Sequence, residues 1–302
     1  MQMHEAYGFE FNAMGGTAEI RLAGLNEARA AELAQQAMAE VQRIEHTYSR
    51  YRPDSIVSRI NAAAGQDVLI DVDEETAGLL GFADQLWQLG GGLFDITSGV
   101  LRRAWDFRRT TLPDQADIEA LLPLIGWNKV TWLADTHQLA LPQHGMELDF
   151  GGFGKEYAAD RAATVLMLAG VTSGFVNLGG DIRVVGPQPD GSPWRMGVQH
   201  PRLPEATLGS VAVRDGALAT SGDYERFMTV DGQRYCHILD PRNGWPVQCW
   251  QSVTVAAPVC TAAGALSTLA MLMQERAEAF LQTQGVPWLA VDAAGQVHHH
   301  GL

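Results

Sequence analysis

The residues that promise chemistry most directly lie in the run Glu147-Leu148-Asp149-Phe150-Gly151-Gly152-Phe153-Gly154-Lys155-Glu156. Its pattern predicts a short strand that ends in the Asp149 carboxylate, then a glycine bend, then a helix beginning near Lys155. Three glycines within four residues let backbone groups approach a ligand closely, and the helix N-terminus behind them favours negative charge. A lysine at a helix start opposes the macrodipole, which points to an anion that it meets there. The chemistry suited to such a corner is the holding of a phosphate or diphosphate. The same bend serves equally as a plain turn, with Asp149 capping backbone N–H groups.

Three further runs carry similar signals: Gly91-Gly92-Leu93-Phe94-Asp95-Ile96-Thr97-Ser98-Gly99, Thr220-Ser221-Gly222-Asp223-Tyr224-Glu225-Arg226, and Cys236-His237-Ile238-Leu239-Asp240-Pro241-Arg242-Asn243-Gly244-Trp245-Pro246-Val247. His237 suits orienting a phosphate or moving a proton near neutral pH, and suits equally a core histidine bonded to a carbonyl. Asp95 reads as a ligand contact or as a turn cap. Phe94, Trp105 and Tyr224 are candidates for stacking on a flat ligand or for packing. Cys236 beside His237 reads as a thiol nucleophile or as a buried strand cysteine.

Taken in this order and spacing, the runs resemble the ApbE-type FAD:protein FMN transferases, over about residues 14–268. The resemblance implies an enzyme that binds FAD and, with a divalent metal (magnesium, or manganese in its place), cuts the diphosphate. The FMN half then moves onto a Thr or Ser hydroxyl in an exposed loop of an acceptor protein, and AMP leaves. Carried over residue by residue, Met14 resembles a flavin-contacting position, and Leu93, Phe94 and Asp95 the segment along the dinucleotide. Asp149 matches a carboxylate that contacts FAD, Lys155 the side chain one turn later, and His237, Ile238 and Leu239 the block beside the nucleotide. Asp149 and His237 are the implied catalytic groups, and the Gly152 carbonyl and Thr268 hydroxyl the implied metal ligands. Hydrolysis of FAD to FMN and AMP, or storage of FAD without catalysis, are the alternatives.

One departure stands out. Where the family shows Ala-Asp-Ala-Leu followed by Ala or Ser and then Thr, this chain reads Ala263-Gly264-Ala265-Leu266-Ser267-Thr268, so Gly264 stands in the place of a carboxylate. Glu156 in turn replaces the small residue that usually follows the lysine. An anionic metal ligand must then come from elsewhere, and Asp223, Asp149 and Glu156 are within reach by motif proximity.

Composition narrows the partners. A net charge of −14 over 302 residues opposes binding to nucleic acid or an anionic membrane. FAD is anionic too, so local cations must oppose the global field, with Lys155, Arg226, Arg242 and a metal as candidates. Three widely spaced cysteines fit neither a disulfide framework nor a zinc site. The start at Met1–Glu5 lacks a basic stretch before an apolar core, and no apolar run approaches a membrane span. These features predict a cytoplasmic protein, or a periplasmic one if a leader has been removed. His298-His299-His300 reads as a surface tail.

The elements that must position these residues predict an α+β fold in residues 1–302, as one domain or two closely joined lobes, similar to the duplicated T-fold arrangement that the resemblance implies. Helices are expected after Asn26, after Asp73 as far as the glycines at 90–92, over 113–122, over 155–169, and over 261–284 with a break near Gln274. Strands are expected over 17–22, 174–185, 194–199, 208–214, 227–230, 235–239 and 252–257, with a closing hairpin over 288–298. Asn177–Asp181 reads as a turn between strands without chemistry.

Overall fold

The computed structural model describes residues 6–302. The reading of Met1–Glu5 lies outside them. One sheet of eight strands dominates, in the order Ala6–Ala13, Gly16–Ala23, Gly174–Leu178, Asp181–Gly186, Gly216–Gly222, Trp250–Ala257, Trp288–Asp292 and Val297–His300. Every neighbouring pair is antiparallel, and with the helices this confirms the α+β class. The glycines Gly179 and Gly180 turn the 174–185 segment into a hairpin, at φ of +64° and +96°. The histidine stretch expected as a tail is the sheet's last strand, and His298 pairs there with Glu278 and Asp292.

The period of two along each strand divides its side chains between two cores. Ile20, Leu22, Val176, Leu178, Ala217, Ala219, Val253 and Val255 face the main helical layer. Phe175, Ile182, Val184 and Leu218 face the other way, onto Trp194, Met196 and Val198 of a separate strand pair. Each large side chain buried in this way contributes about 1.5–3 kcal/mol. The same alternation turns Asp181, Arg183 and Ser221 toward the helices, so three polar groups sit on an otherwise apolar face.

Among the described residues seven α-helices accompany the sheet: α1 (Glu27–Tyr48), α2 (Ile56–Ala62), α3 (Glu74–Leu89), α4 (Gln115–Leu121), α5 (Gly154–Leu168), α6 (Cys260–Met273) and α7 (Ala277–Gln284). Asn26 and Asp73 cap α1 and α3 by accepting from Arg29 N and Thr76 N, as their sequence positions predict. Two calls change. Residues 147–149 form no strand, because the Asn61 side chain rather than a neighbouring backbone satisfies Leu148. The helix expected from Pro113 starts at Gln115, with Asp114 as its N-cap. The expected break near Gln274 is real: that residue has φ of +51° and its carbonyl accepts the Trp250 indole N–H at 2.8 Å.

The middle of α5 is locked to the start of α6. Val259 has no side chain able to cap α6, and Asp160 of α5 does so instead, accepting from Cys260 N and Thr261 N at 2.8 Å each. Arg183 from the sheet pairs with the same carboxylate. No helix among the described residues is long and apolar enough to cross a membrane.

Candidate functional site

The chemistry-bearing residues meet around the start of α5. Two long-range fasteners fix the approach to it. The Asn61 amide accepts from Leu148 N at 2.7 Å and donates to Leu148 O at 3.1 Å, and Asp149 N donates to Ile96 O at 2.8 Å. Asp149 is thereby tied to the 91–99 run. Its carboxylate accepts from Gly151 N at 2.9 Å and makes a short ion pair with Arg50, whose guanidinium lies over the Tyr51 ring. The glycines here make room for close packing. A Cβ on Gly99 would come within 2.7 Å of the Asp149 Cβ, and one on Gly152 within 2.8 Å of the Phe94 ring.

The first turn of α5 has no side-chain cap, since Phe153 occupies the N-cap position. The Phe150 carbonyl accepts from Phe153 N and Gly154 N instead, at 3.1 and 2.8 Å, which leaves the Lys155 amide to meet an anion. Met14 and Gly15, both at positive φ, form the tight turn of the first hairpin, and Met14 N donates to Glu45 at 2.9 Å. The Met14 methyl stands 3.9 Å from where a Gly154 Cβ would lie, and the Arg226 guanidinium 3.4 Å from the corresponding point on Gly15. Arg226 makes no ion pair among the described residues. A shallow cleft of about 360 Å³ opens beside this turn, lined by Asn12, Ala13, Gly15, Gly16, Thr17 and Glu45.

Lys155 reaches the sheet, where Nζ bonds Asp181 at 2.9 Å while the side chain keeps 38% exposure. Burial alone would lower its pKa, but the Asp181 and Glu156 carboxylates outweigh that and hold it above the usual lysine range. Asp181 is shifted upward by its own burial, against the pull of Lys155. The turn expected to carry no chemistry therefore supplies the buried partner of the site's lysine. Glu156, the next residue, is 6% exposed, and burial together with nearby Asp181 pushes its carboxyl up to about 8. One of its oxygens, Oε2, has no hydrogen-bond partner.

Beside Glu156, α6 and the strand Gly216–Gly222 share a chain of hydroxyls whose direction follows from proton counting. Ser267 donates to the Gly264 carbonyl at 2.9 Å, and that acceptor has no proton to give. Ser221, 2.8 Å away, must then donate to Ser267, and Thr268, 2.9 Å from Ser221, must donate to Ser221. The lone pairs of Thr268 Oγ1 are left free for a cation.

His237 is an exposed residue, bonded through Nδ1 to the Arg226 carbonyl at 3.2 Å. A carbonyl only accepts, so Nδ1 carries the proton and Nε2 is the free base. The protein packed around it, and then the Arg226 guanidinium, push its pKa down to about 4. Ile238 and Leu239 follow, Ile238 held by Val247 N at 3.0 Å.

Several expected contacts are used internally. Leu93 and Phe94 are buried in the main core, and Phe94 stacks on Phe153. Asp95 is saturated: one oxygen accepts from Thr97 N and Oγ1, the other from Trp127 N. Trp105 is buried in a separate cluster, its indole bonded to Gly244 O. Arg242 is spent on Asp240 within its own turn, which removes it as a free cation. Asp223 is gripped by both guanidinium nitrogens of Arg202 at 2.6 Å. Cys236 is buried, with its thiol pushed up to about 11 by that burial, so it stays protonated at neutral pH. Sequence reasoning passes over Arg50 and Asn61 and gives Asp181 and Ser221, which lie in quoted runs, no role of their own. Only the strand alternation that turns Asp181 and Ser221 inward signals any of them.

The ApbE family model matches residues 14–290. The chain is 32% identical to the FAD:protein FMN transferase of Klebsiella pneumoniae strain 342 over 250 residues, covering 82% of this chain and 76% of that one. It is 29% identical to the protein of the same name from Escherichia coli K12, over 92% of this chain and 81% of the relative. Among solved structures, the ApbE protein of Thermotoga maritima superposes with a TM-score of 0.91 at 31% identity, covering 98% and 97% of the two chains. The flavin transferase ApbE of Vibrio cholerae gives 0.86 at 27% identity, covering 98% and 97%.

Proposed function

This chain belongs to the ApbE family, and from that premise we propose that it is a FAD:protein FMN transferase, moving the FMN half of FAD onto a Thr or Ser hydroxyl of an acceptor protein with loss of AMP. The observation that carries the reading is the Met14–Gly15 turn, which lies beside Gly154 at the uncapped start of α5 on one side and beside Arg226, which makes no ion pair among the described residues, on the other. Breaking the FAD diphosphate needs charge neutralisation, an aligned hydroxyl and a proton acceptor.

The Lys155 amide at the start of α5 and the guanidinium of Arg226 receive the phosphates, and the Lys155 side chain adds positive charge while remaining braced by Asp181. Met14 covers the edge of the opening beside Gly154. Leu93, Phe94 and Asp95 shape the wall through their backbone, because their side chains are committed to the core. Ile238 and Leu239 line the nucleotide side next to His237. Nε2 of His237, unprotonated at neutral pH, accepts the proton of the acceptor hydroxyl. Asp149, oriented by Arg50 and Gly151, holds the dinucleotide in line.

The residues present fit a divalent cation. Glu156 has a buried oxygen without a donor, and Thr268 has free lone pairs, both hard oxygen donors. Gly152 would add its carbonyl. Magnesium or manganese bound there would neutralise charge on the bridging phosphates.

Incubation of the protein with FAD, magnesium and a Thr-containing acceptor peptide tests the reading, followed by flavin fluorescence on a denaturing gel and by AMP release. Labelled peptide with stoichiometric AMP is the expected result. AMP without label would make the chain a FAD pyrophosphatase, and intact bound FAD a flavin carrier.

A further inference from the structure

We propose that Glu156 supplies the carboxylate ligand of the divalent cation, reaching from α5 into the space that Gly264 of α6 leaves open. The inference rests on the transferase reading for the use of a cation at all, while the choice of ligand rests on packing.

A Cβ built on Gly264 would lie 2.4 Å from Glu156 Oε1, 2.5 Å from its Cγ and 2.7 Å from its Cδ. The Glu156 carboxylate therefore fills the volume into which any side chain at position 264 would project. The two positions are complementary: an acidic side chain from α5 requires the absence of one from α6. Inside this volume Glu156 is 6% exposed and its Oε2 has no donor. Burying a carboxylate oxygen without a partner is costly, and folded proteins seldom tolerate it without use. The nearest cation, Lys155 Nζ, is bonded to Asp181.

The surrounding oxygens suit a hard ion. Thr268 lies one helical turn beyond Gly264 on the same face of α6, with its proton committed to Ser221 and its lone pairs free. Gly152 lies four residues before Glu156, at the entrance to α5. One carboxylate, one hydroxyl and one carbonyl, completed by water and substrate oxygens, suit magnesium or manganese, which keep several waters. The two other acidic candidates are engaged, Asp149 with Arg50 and Gly151 N, and Asp223 with Arg202.

The test is Mn²⁺ binding to the full-length protein, read by the electron paramagnetic resonance signal of the free ion, with thermal melting as a check on folding. Glu156→Gln is expected to weaken Mn²⁺ binding by at least about tenfold. Gly264→Asp alone is expected to lower the melting temperature, because the new Cβ meets Glu156. The pair Glu156→Ala with Gly264→Asp returns a carboxylate from the other helix and is expected to recover most of the affinity lost in Glu156→Ala. Unchanged Mn²⁺ affinity in Glu156→Gln, no recovery in the pair, or a wild-type protein that binds no Mn²⁺ would each overturn the proposal. Flavin transfer combined with Glu156-independent Mn²⁺ binding sinks this inference alone. Glu156-dependent binding without flavin transfer sinks the transferase reading alone.

Discussion

His237 is the residue whose environment makes the sharpest numerical claim. With its pKa lowered to about 4, the imidazole is neutral at every pH where the enzyme is expected to work. The sign follows by linkage: a base depressed from its ordinary value of 6.5 contributes stability that is fully present above pH 6.5, and that contribution is lost as pH falls through about 4. The expected observation is a His237 Cε1 proton resonance that titrates with a midpoint near 4. A midpoint between 6 and 7 would show that the ring is solvated like a free histidine, and would allow its protonation to shape the acid limb of the rate profile. What the sequence revealed at this scale were residues that announce themselves locally. Asp149 and Lys155 stand on either side of three glycines, and His237 stands in its own run. Their partners did not show, because folding brings them from afar: Arg50 lies 99 residues from Asp149, Ser221 46 from Ser267, and Asp181 26 from Lys155. No local pattern marks one arginine among many as the one that reaches Asp149.

At the scale of elements, the helices were legible wherever an end signal accompanied an apolar period. Asn26, Asp73 and the Gln274 break all lie where that rule puts them. The segment before Asp149 was misread as a strand because its backbone is satisfied by a side chain, and alternation cannot distinguish the two. Asn61 stands in for a neighbouring strand, giving one acceptor and one donor to the same residue, Leu148. Asn61→Ala removes both bonds and leaves the Leu148 amide and carbonyl in a partly buried place without partners. The cost expected is about 1–3 kcal/mol, read as a fall in the urea midpoint at unchanged slope. A larger fractional loss of FAD affinity should accompany it, since the Asp149 loop follows Leu148 directly. A variant as stable as the wild type, with FAD binding intact, would mean that the Ile96 carbonyl alone positions Asp149.

Over the whole molecule, the net charge of −14 sets a field that the site has to overcome. The cations that face the opening are few, and two of them are already neutralised, Lys155 by Asp181 and Arg50 by Asp149. Arg226, which has no ion pair among the described residues, is left as the side chain with an uncompensated positive charge to meet an anionic dinucleotide approaching an anionic protein. Contact forces act only within a few ångströms, whereas the repulsion of the whole surface is felt over a Debye length, about 30 Å at 0.01 M salt and about 8 Å at 0.15 M. Screening therefore removes the distant repulsion first and leaves the local attraction at Arg226 largely intact. The association rate constant for FAD is expected to rise as salt increases from about 0.01 to 0.15 M, the reverse of the usual behaviour of a steered anionic ligand. Stopped-flow quenching of flavin fluorescence measures it directly. A rate that falls with salt over this range would mean that the opening presents a net positive potential to the solvent, and that Arg226 and Lys155, with its amide at the start of α5, outweigh the surrounding acidic surface at long range.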